Sequence, residues 1–314
     1  MKKKILIILF CLLLCTSALA ERLVPGGTPL GISIETEGLI VAGFSEIMGK
    51  SPAQDAGIRA GDILKSIDDT EINSPEDFAN AMKSLSETVE LTVLRGGEEK
   101  TVKITPTLDE NGCRKLGLWL RDGVNGIGTL SFYDPETGLY GALGHSVSDC
   151  ESGNTVPLRE GSIFDAQIVG IIPGERGAPG QLQGCADEGK RLGDIQINCV
   201  CGIFGHAELP DAETLETGDI APGKATVRCT LDGDGVGEYE IQIEKVNEAD
   251  GRTVAVIRVT DSELLACTGG IVQGMSGSPI IQNGCLVGAV THVFVNDPAT
   301  GFAIGIYDMI EAAA

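Results

Sequence analysis

The sequence predicts a mainly β protein in which a small α+β domain precedes an all-β domain. Short apolar segments separated by glycine turns run through most of the chain, which is typical of strands. One clear helix start, Ser74-Pro75, stands in the first half, and one strong hairpin signal, Asn283-Gly284, stands in the second. A length of 314 residues favours two domains.

The N-terminus predicts export. Lys2-Lys3-Lys4 precedes an apolar run over residues 5–15, and Ala18-Leu19-Ala20 fits the cleavage pattern of secretory signals. The apolar run is shorter than the roughly 20 residues of a spanning helix. We therefore expect residues 1–20 to be a signal peptide, with an uncleaved membrane anchor as the alternative.

The charge balance excludes one class of partner. Acidic residues outnumber basic ones by 45 to 23, and the net charge is −22. Such a surface repels phosphate backbones, so we expect no nucleic acid, and we expect membrane contact only through the N-terminal signal or partner proteins. Cys199-x-Cys201 near His206 lacks the spacing of the common zinc knuckles, so we predict no metal and no cofactor.

The first half alternates short strands with glycine turns and contains one helix. Ser74 is placed as an N-cap and Pro75 as the first helical residue, with acidic residues in the first turn, so a helix of about ten residues begins there. The strand patterns cover residues 30–34, 38–42, 89–94 and 100–104.

Residues 26–107 resemble a PDZ domain, most specifically in Ala56-Gly57-Ile58-Arg59-Ala60-Gly61-Asp62-Ile63-Leu64. The resemblance implies a domain that binds extended peptide segments as an added strand beside a helix. A domain that only packs against its neighbour is the alternative. If the domain binds peptides, the groove would lie beside the helix from Pro75 and would be formed by Leu30, Gly31, Ile32, Ser33 and Ile34.

The second half, residues 115–314, is predicted to be all-β. Strand patterns over residues 127–132 and 139–143 flank the turn Asp134-Pro135-Glu136-Thr137-Gly138. Asp297-Pro298-Ala299-Thr300-Gly301 repeats the pattern of that turn near the end of the chain. Two similar hairpins in one domain favour a double β-barrel.

The stretch Gly274-Met275-Ser276-Gly277-Ser278-Pro279 carries the clearest chemical meaning. Glycine adopts dihedrals closed to other residues, which would let the Gly274 and Ser276 amides point at one oxygen as an oxyanion hole. A serine nucleophile needs such donors and an adjacent base. The same residue types also form ordinary turns, and that alternative stays open on these residues alone.

A histidine base for Ser276 must be His145, His206 or His292. An α/β-hydrolase is disfavoured, because its acid and histidine would both have to follow Ser276 in a short C-terminal tail. A double-barrel serine protease runs in the order His, Asp, Ser. That order selects His145, in the first barrel, as the base, and it leaves His292 beside the substrate pocket.

Several long motifs resemble the stage IV sporulation protein B family of peptidases. They cover residues 126–133, 140–145, 269–284 and 287–298. The resemblance implies an export signal, a PDZ domain and a chymotrypsin-like serine peptidase with the catalytic residues His145, Asp261 and Ser276. On spacing alone, Asp149 or Asp194 competes with Asp261 as the acid.

The resemblance also implies a role in sporulation signalling. The chain would be an exported serine endopeptidase that cleaves itself and a membrane-bound regulator, and thereby triggers intramembrane proteolysis and late sigma-factor activation. It would cross the cytoplasmic membrane of the forespore and be secreted into the intermembrane space or stay anchored by its N-terminus. The rival functions are a catalytically inactive PDZ scaffold that binds peptides and a secreted general serine protease.

Overall fold

The computed structural model describes residues 21–233 and 235–314, so the predicted signal peptide lies outside the described residues. The strands are β1 (Arg22–Pro25), β2 (Pro29–Phe44), β3 (Ile63–Ile67), β4 (Thr70–Glu71), β5 (Val89–Arg95), β6 (Glu98–Ile104), β7 (Thr107–Leu108), β8 (Arg114–Lys115), β9 (Leu118–Tyr133), β10 (Leu139–Ala142), β11 (Glu160–Ile172), β12 (Gln181–Asp194), β13 (Ile197–Cys199), β14 (Gly202–His206), β15 (Leu215–Glu216), β16 (Gly223–Thr230), β17 (Val236–Ala249), β18 (Arg252–Val259), β19 (Pro279–Gln282), β20 (Cys285–Phe294) and β21 (Asp297–Gly305).

The helices are few and short, which confirms the predicted mainly β class. They are α1 (Pro52–Asp55), α2 (Pro75–Ala81), α3 (Ser262–Thr268) and α4 (Ile306–Ala313), and a 3-10 turn, Met82–Ser84, extends α2. None of these described helices combines the length and the apolar character needed to span a bilayer.

The small α+β domain is a twisted sheet in the order β9-β2-β3-β5-β6, with α1 and α2 packed on it. It uses the second half of β2 and the first residues of β9. The Ser74 hydroxyl accepts a hydrogen bond from the Asp77 amide at 3.1 Å, so the N-cap of α2 is where the sequence predicted it. Buried Leu39, Leu64 and Leu91 lie at the centre of its core.

The strand β2 is shared by both domains, and this corrects one prediction. Residues 30–35 of β2 pair with β11 on one edge and with β9 on the other. Leu30, Gly31, Ile32, Ser33 and Ile34 therefore have no free edge, whereas a peptide added as a strand needs one. The predicted peptide groove does not form at this segment, because its apolar side chains are buried in the core of the first barrel instead.

The first barrel follows the order β14-β10-β9-β2-β11-β12 and is incompletely closed. An isolated bridge between Gly193 and Ala207 and the bond from the His206 amide to the Asp194 carboxylate bring its two ends together. The turn over residues 134–138 separates β9 from β10, as predicted.

The second barrel is closed in the order β16-β17-β18-β21-β20-β19. Asn283 and Gly284 have φ angles of 53° and 80° and join β19 to β20, which confirms the predicted hairpin. Residues 297–301 do not form the predicted second turn. They begin β21, where Asp297 pairs with β20 and residues 300–301 pair with β18, while the chain reverses at Val295 and Asn296 just before them.

Candidate active site

Ser276 lies in the loop between α3 and β19, at the junction of the two barrels. The fully buried Met275 anchors this loop in the second barrel core. The Gly277 amide donates to the Val290 carbonyl at 2.8 Å, and the Ser278 amide donates to the Met275 carbonyl at 2.9 Å. The loop is thus a fixed turn, which is what a nucleophile needs if its hydroxyl is to stay in one place.

The first barrel holds the same loop through one residue of β9. The Thr129 amide donates to the Ser276 carbonyl at 3.0 Å, and the Thr129 hydroxyl donates to the Gly274 carbonyl at 2.8 Å. Within the described ranges the amides of Gly274 and Ser276 donate to no protein acceptor. The two amides predicted for the oxyanion hole are therefore available as donors.

His145 follows β10 and lines the same cleft as Ser276. Its Nδ1 is 2.8 Å from the carbonyl oxygen of Ser146. Because a carbonyl only accepts, Nδ1 carries the proton in the neutral ring, which leaves Nε2 as an acceptor. Burial lowers the pKa of the imidazole, and the bond to Ser146 opposes that effect only in part. His145 is thus a neutral acceptor near physiological pH.

The cleft that holds both residues has a volume of about 430 Å³. The Ser276 hydroxyl donates to the carbonyl of Thr291 at 2.8 Å, so it must rotate away from Thr291 to reach His145. Catalytic hydrogen bonds are often loose in free enzymes and tighten only with substrate. The walls are mainly apolar and include Ile32, Ile127, Leu143, Val272 and Val293.

His292 lies in the cleft, where the sequence analysis placed it as a pocket residue. Its ring centroid is 4.6 Å from that of His145, with an angle of 34° between the rings. Burial, followed by the proximity of His145, lowers the pKa of His292. The third histidine, His206, lies on β14 outside this cleft. The contacts of Thr129 and Thr291 with the nucleophile loop were not predicted from the sequence, because Thr129 bonds to that loop from the other barrel and Thr291 does so through its backbone carbonyl.

Asp261 is not brought to His145. One of its carboxylate oxygens accepts from the amides of Glu263 and Leu264, at 2.9 and 3.0 Å, and so caps the N-terminus of α3. The other oxygen accepts from the Glu240 amide at 3.3 Å. The Leu264 bond is the largest influence on its pKa, which lies below the ordinary value. The acid role of Asp261 stays a prediction that rests on the family resemblance.

The two competing aspartates are also engaged elsewhere. Asp149 forms an ion pair with Arg121. Asp194 accepts from the Gln196 side chain at 2.9 Å and from the His206 amide at 2.8 Å. In the part of the chain that the structure describes, the ring of His145 is therefore oriented by a backbone carbonyl and by no carboxylate.

Local similarity links the chain to known proteases. Over 72 residues it is 38% identical to a putative zinc metalloprotease from Thermotoga maritima, covering 23% of this chain and 14% of that protein. Over 61 residues it is 34% identical to serine protease HTRA1 from Xenopus tropicalis, covering 19% of this chain and 13% of that protein. The chain thus spans only a small part of these relatives. The active form of the Rv3671c protease from M. tuberculosis aligns with a TM-score of 0.35 and 17% identity, over 61% of this chain and 75% of that chain.

A cleft between two barrels that contains a serine and a histidine, preceded by a PDZ domain, defines a PDZ-linked serine endopeptidase. Residues 29–105 match the PDZ domain family, and residues 112–310 match the family SpoIVB peptidase S55. The second match covers more than half of the chain, which therefore belongs to the SpoIVB peptidase S55 family. The resemblance noted in the sequence is confirmed.

Proposed function

We propose that Ser276 is the nucleophile and His145 the general base of this endopeptidase. His145 Nε2 takes the proton of the Ser276 hydroxyl as the oxygen attacks the substrate carbonyl, and the same proton then goes to the leaving amine. The Gly274 and Ser276 amides stabilise the oxyanion, and water releases the acyl-enzyme. The observation that carries the proposal is the placement of both side chains in one cleft beside two available amides.

The biological role is proposed from family membership. The enzyme acts in sporulation signalling, where it cleaves itself and a membrane-bound regulator and so leads to intramembrane proteolysis and late sigma-factor activation. The lysines and apolar run of residues 1–20 support export across the forespore membrane, into the intermembrane space or in a form anchored by the N-terminus. The PDZ domain would position the regulator or a second copy of the enzyme.

The peptide would bind at a different strand from the one predicted. The first residues of β9 pair with β2 along one edge, and the same strand contacts α2. Between them lies a groove whose lining includes Phe78, Met82, Leu116 and Leu118. A strand edge beside an apolar helix face is the arrangement that peptide addition requires.

Self-cleavage is tested by mass spectrometry of the purified full chain beside its Ser276→Ala variant. The wild-type chain is expected to lose its signal region and to show further internal cuts, and the variant is expected to keep the internal bonds intact. Identical internal fragments in both samples would contradict self-cleavage by Ser276. Cleavage of casein at the rate of the best specific substrate would favour a general protease over a signalling enzyme.

Activity is expected to fall toward acidic pH with a midpoint below 6.5, the ordinary pKa of histidine. The base must be neutral to accept a proton, and burial lowers the pKa of His145, so the neutral form persists to lower pH. The measurement is the rate at which a fluorophosphonate labels Ser276 across the acidic range. A midpoint at or above the ordinary value would contradict a buried His145 base.

Replacing Asp261 separates its two candidate roles. Loss of the N-cap in Asp261→Ala is expected to cost about 0.5–2 kcal/mol of stability, whereas Asp261→Asn keeps a good capping residue and costs little. If the cap is the whole role, the folded Asn variant retains most of the activity. A loss of roughly ten thousand-fold in that variant would instead establish Asp261 as the catalytic acid. Denaturant unfolding and kcat/KM, measured on both variants, decide between the two roles.

A further inference from the structure

Arg121 on β9 lies where the PDZ domain ends, and it contacts the peptidase domain. Leu116 is buried in the PDZ core, and Leu118 and Leu120 pack against that core. The next residue, Arg121, still pairs with Ile40 of β2. The packing of the PDZ domain therefore fixes where the backbone of Arg121 lies in space, although Arg121 belongs to a strand that continues into the first barrel.

The side chain of Arg121 reaches into the loop that carries His145, residues 143–159. Its guanidinium forms an ion pair with Asp149, and it lies 3.9 Å from the Cys150 sulfur. Asp149 is only 5% exposed in its side chain, and Arg121 is 31% exposed. A mostly buried charge needs its partner, so this contact constrains the loop far more than a surface ion pair does.

Asp149 in turn organises the loop. Its second oxygen accepts from the Ser152 amide at 2.7 Å and from the Ser152 hydroxyl at 2.9 Å. Burial alone would raise the pKa of Asp149, but the Ser152 bonds and the Arg121 charge outweigh it and keep the pKa below its ordinary value. Asp149 stays charged at neutral pH, and the ion pair persists.

A second contact ties the same turn to the PDZ domain. A Cβ atom on Gly61 would lie 2.3 Å from the Ser152 Cβ, so the PDZ backbone touches the turn directly. Toward His145, the Asn198 side chain accepts from the Val147 amide at 2.8 Å and donates to the Val147 carbonyl at 3.0 Å. The loop is thus held on both sides of Asp149, by the PDZ domain at Ser152 and by Asn198 at Val147.

We propose that Arg121 is a positioning residue that holds His145 in place through Asp149, so that the PDZ domain sets the geometry of the general base. The inference rests on the proposed role of His145. It also gives the strand β9 two functions, because Thr129, farther along the same strand, holds the nucleophile loop.

The test compares Arg121→Met with wild type in the full chain, with the rate of fluorophosphonate labelling of Ser276 as the readout. Arg121→Met keeps much of the side chain's length and removes the charge, and labelling is expected to slow by roughly 10-fold to 100-fold. Arg121→Lys is expected to restore part of the rate. Adding Asp149→Asn to Arg121→Met should cost little more, because residues that act as one unit are not additive.

Arg159→Met is the matched control. Arg159 lies at the other end of the same loop and forms an ion pair with Glu35, but these side chains are 37% and 48% exposed. Its replacement is expected to leave labelling within about two-fold of wild type, as for an exposed pair. Equal losses in Arg159→Met and Arg121→Met would mean that general loop stability, not Arg121, controls the rate.

A spectroscopic readout separates positioning from stability. The chain has three histidines, so their ring signals can be resolved by carbon–proton NMR. Arg121→Met should move the His145 signal and leave that of His206 in place. If Arg121→Met leaves the His145 signal in place and is labelled at the wild-type rate, the inference is overturned, even if His145→Ala is inactive. Wild-type labelling by His145→Ala would instead overturn the proposed base itself.

Discussion

Replacing Ser276 with alanine is expected to lower kcat/KM by roughly ten thousand-fold to a million-fold without unfolding the protein. The loss is large because attack on the substrate carbonyl and proton transfer to His145 both depend on one oxygen, that of the Ser276 hydroxyl. The fold should persist, since among the described residues that oxygen has a single hydrogen-bond partner, the Thr291 carbonyl. The measurement is peptide hydrolysis and fluorophosphonate labelling of wild type and variant at matched concentration.

Ser278→Ala is the matched control for this prediction. Ser278 stands two positions later, is fully buried, and its hydroxyl has no hydrogen-bond partner among the described residues. Removing a buried hydroxyl without a partner is close to neutral for stability, so this variant should keep wild-type activity. Full labelling of Ser276→Ala would refute the nucleophile, because the probe would then be reacting elsewhere. Equal losses in both variants would point to damage to the loop.

The placement of Ser276 and His145 was predictable from the sequence, because it depends on chain order. A serine in a glycine-framed turn near the C-terminus and a histidine after an early strand belong to different barrels, and the cleft lies where the barrels meet. Local signals were equally reliable: the Ser74 cap and the Asn283-Gly284 hairpin both depend on residues next to one another.

Strand partners were not predictable in the same way. Residues 30–34 have the apolar pattern of a strand whichever neighbour they have, and the pattern does not show that β9 and β11 occupy both edges. Residues 134–138 and 297–301 make the same point. In both, the threonine hydroxyl bonds to the aspartate carboxylate three positions earlier, yet pairing with β18 and β20 makes the second copy a strand. Tertiary pairing decided between two local conformations.

The orientation of His145 was beyond sequence reasoning for a related reason. Ser146 holds the ring through its backbone carbonyl, which every residue has. No side-chain pattern identifies such a contact. Similarly, an aspartate can either cap a helix or orient a histidine. The sequence neighbours of Asp261 fit both roles.

Replacing Gly277 with alanine is expected to destabilise the protein by roughly 2–5 kcal/mol and to abolish activity in what remains folded. Gly277 has a φ of 95°, and a Cβ there would lie 2.1 Å from the Thr129 carbonyl oxygen and 2.5 Å from the Leu143 amide nitrogen. Both are backbone atoms of the first barrel, so neither yields as a flexible side chain would. To relieve this clash Thr129 would have to move, and its hydrogen bonds to the nucleophile loop would then break.

Gly284→Ala distinguishes steric clash from backbone strain. Gly284 also has a positive φ, 80°, but a Cβ there meets no atom within 4 Å. Its replacement should lower the free energy of unfolding by about 1–2 kcal/mol, because alanine is strained in the left-handed conformation. Labelling of Ser276 should stay unchanged. Denaturant unfolding and fluorophosphonate labelling of both variants give the comparison. Equal losses would mean that the close approach of the barrels at Gly277 is not what fixes the nucleophile. A much larger loss at Gly277 would show that contact between the barrels, and not the turn by itself, makes Ser276 a nucleophile.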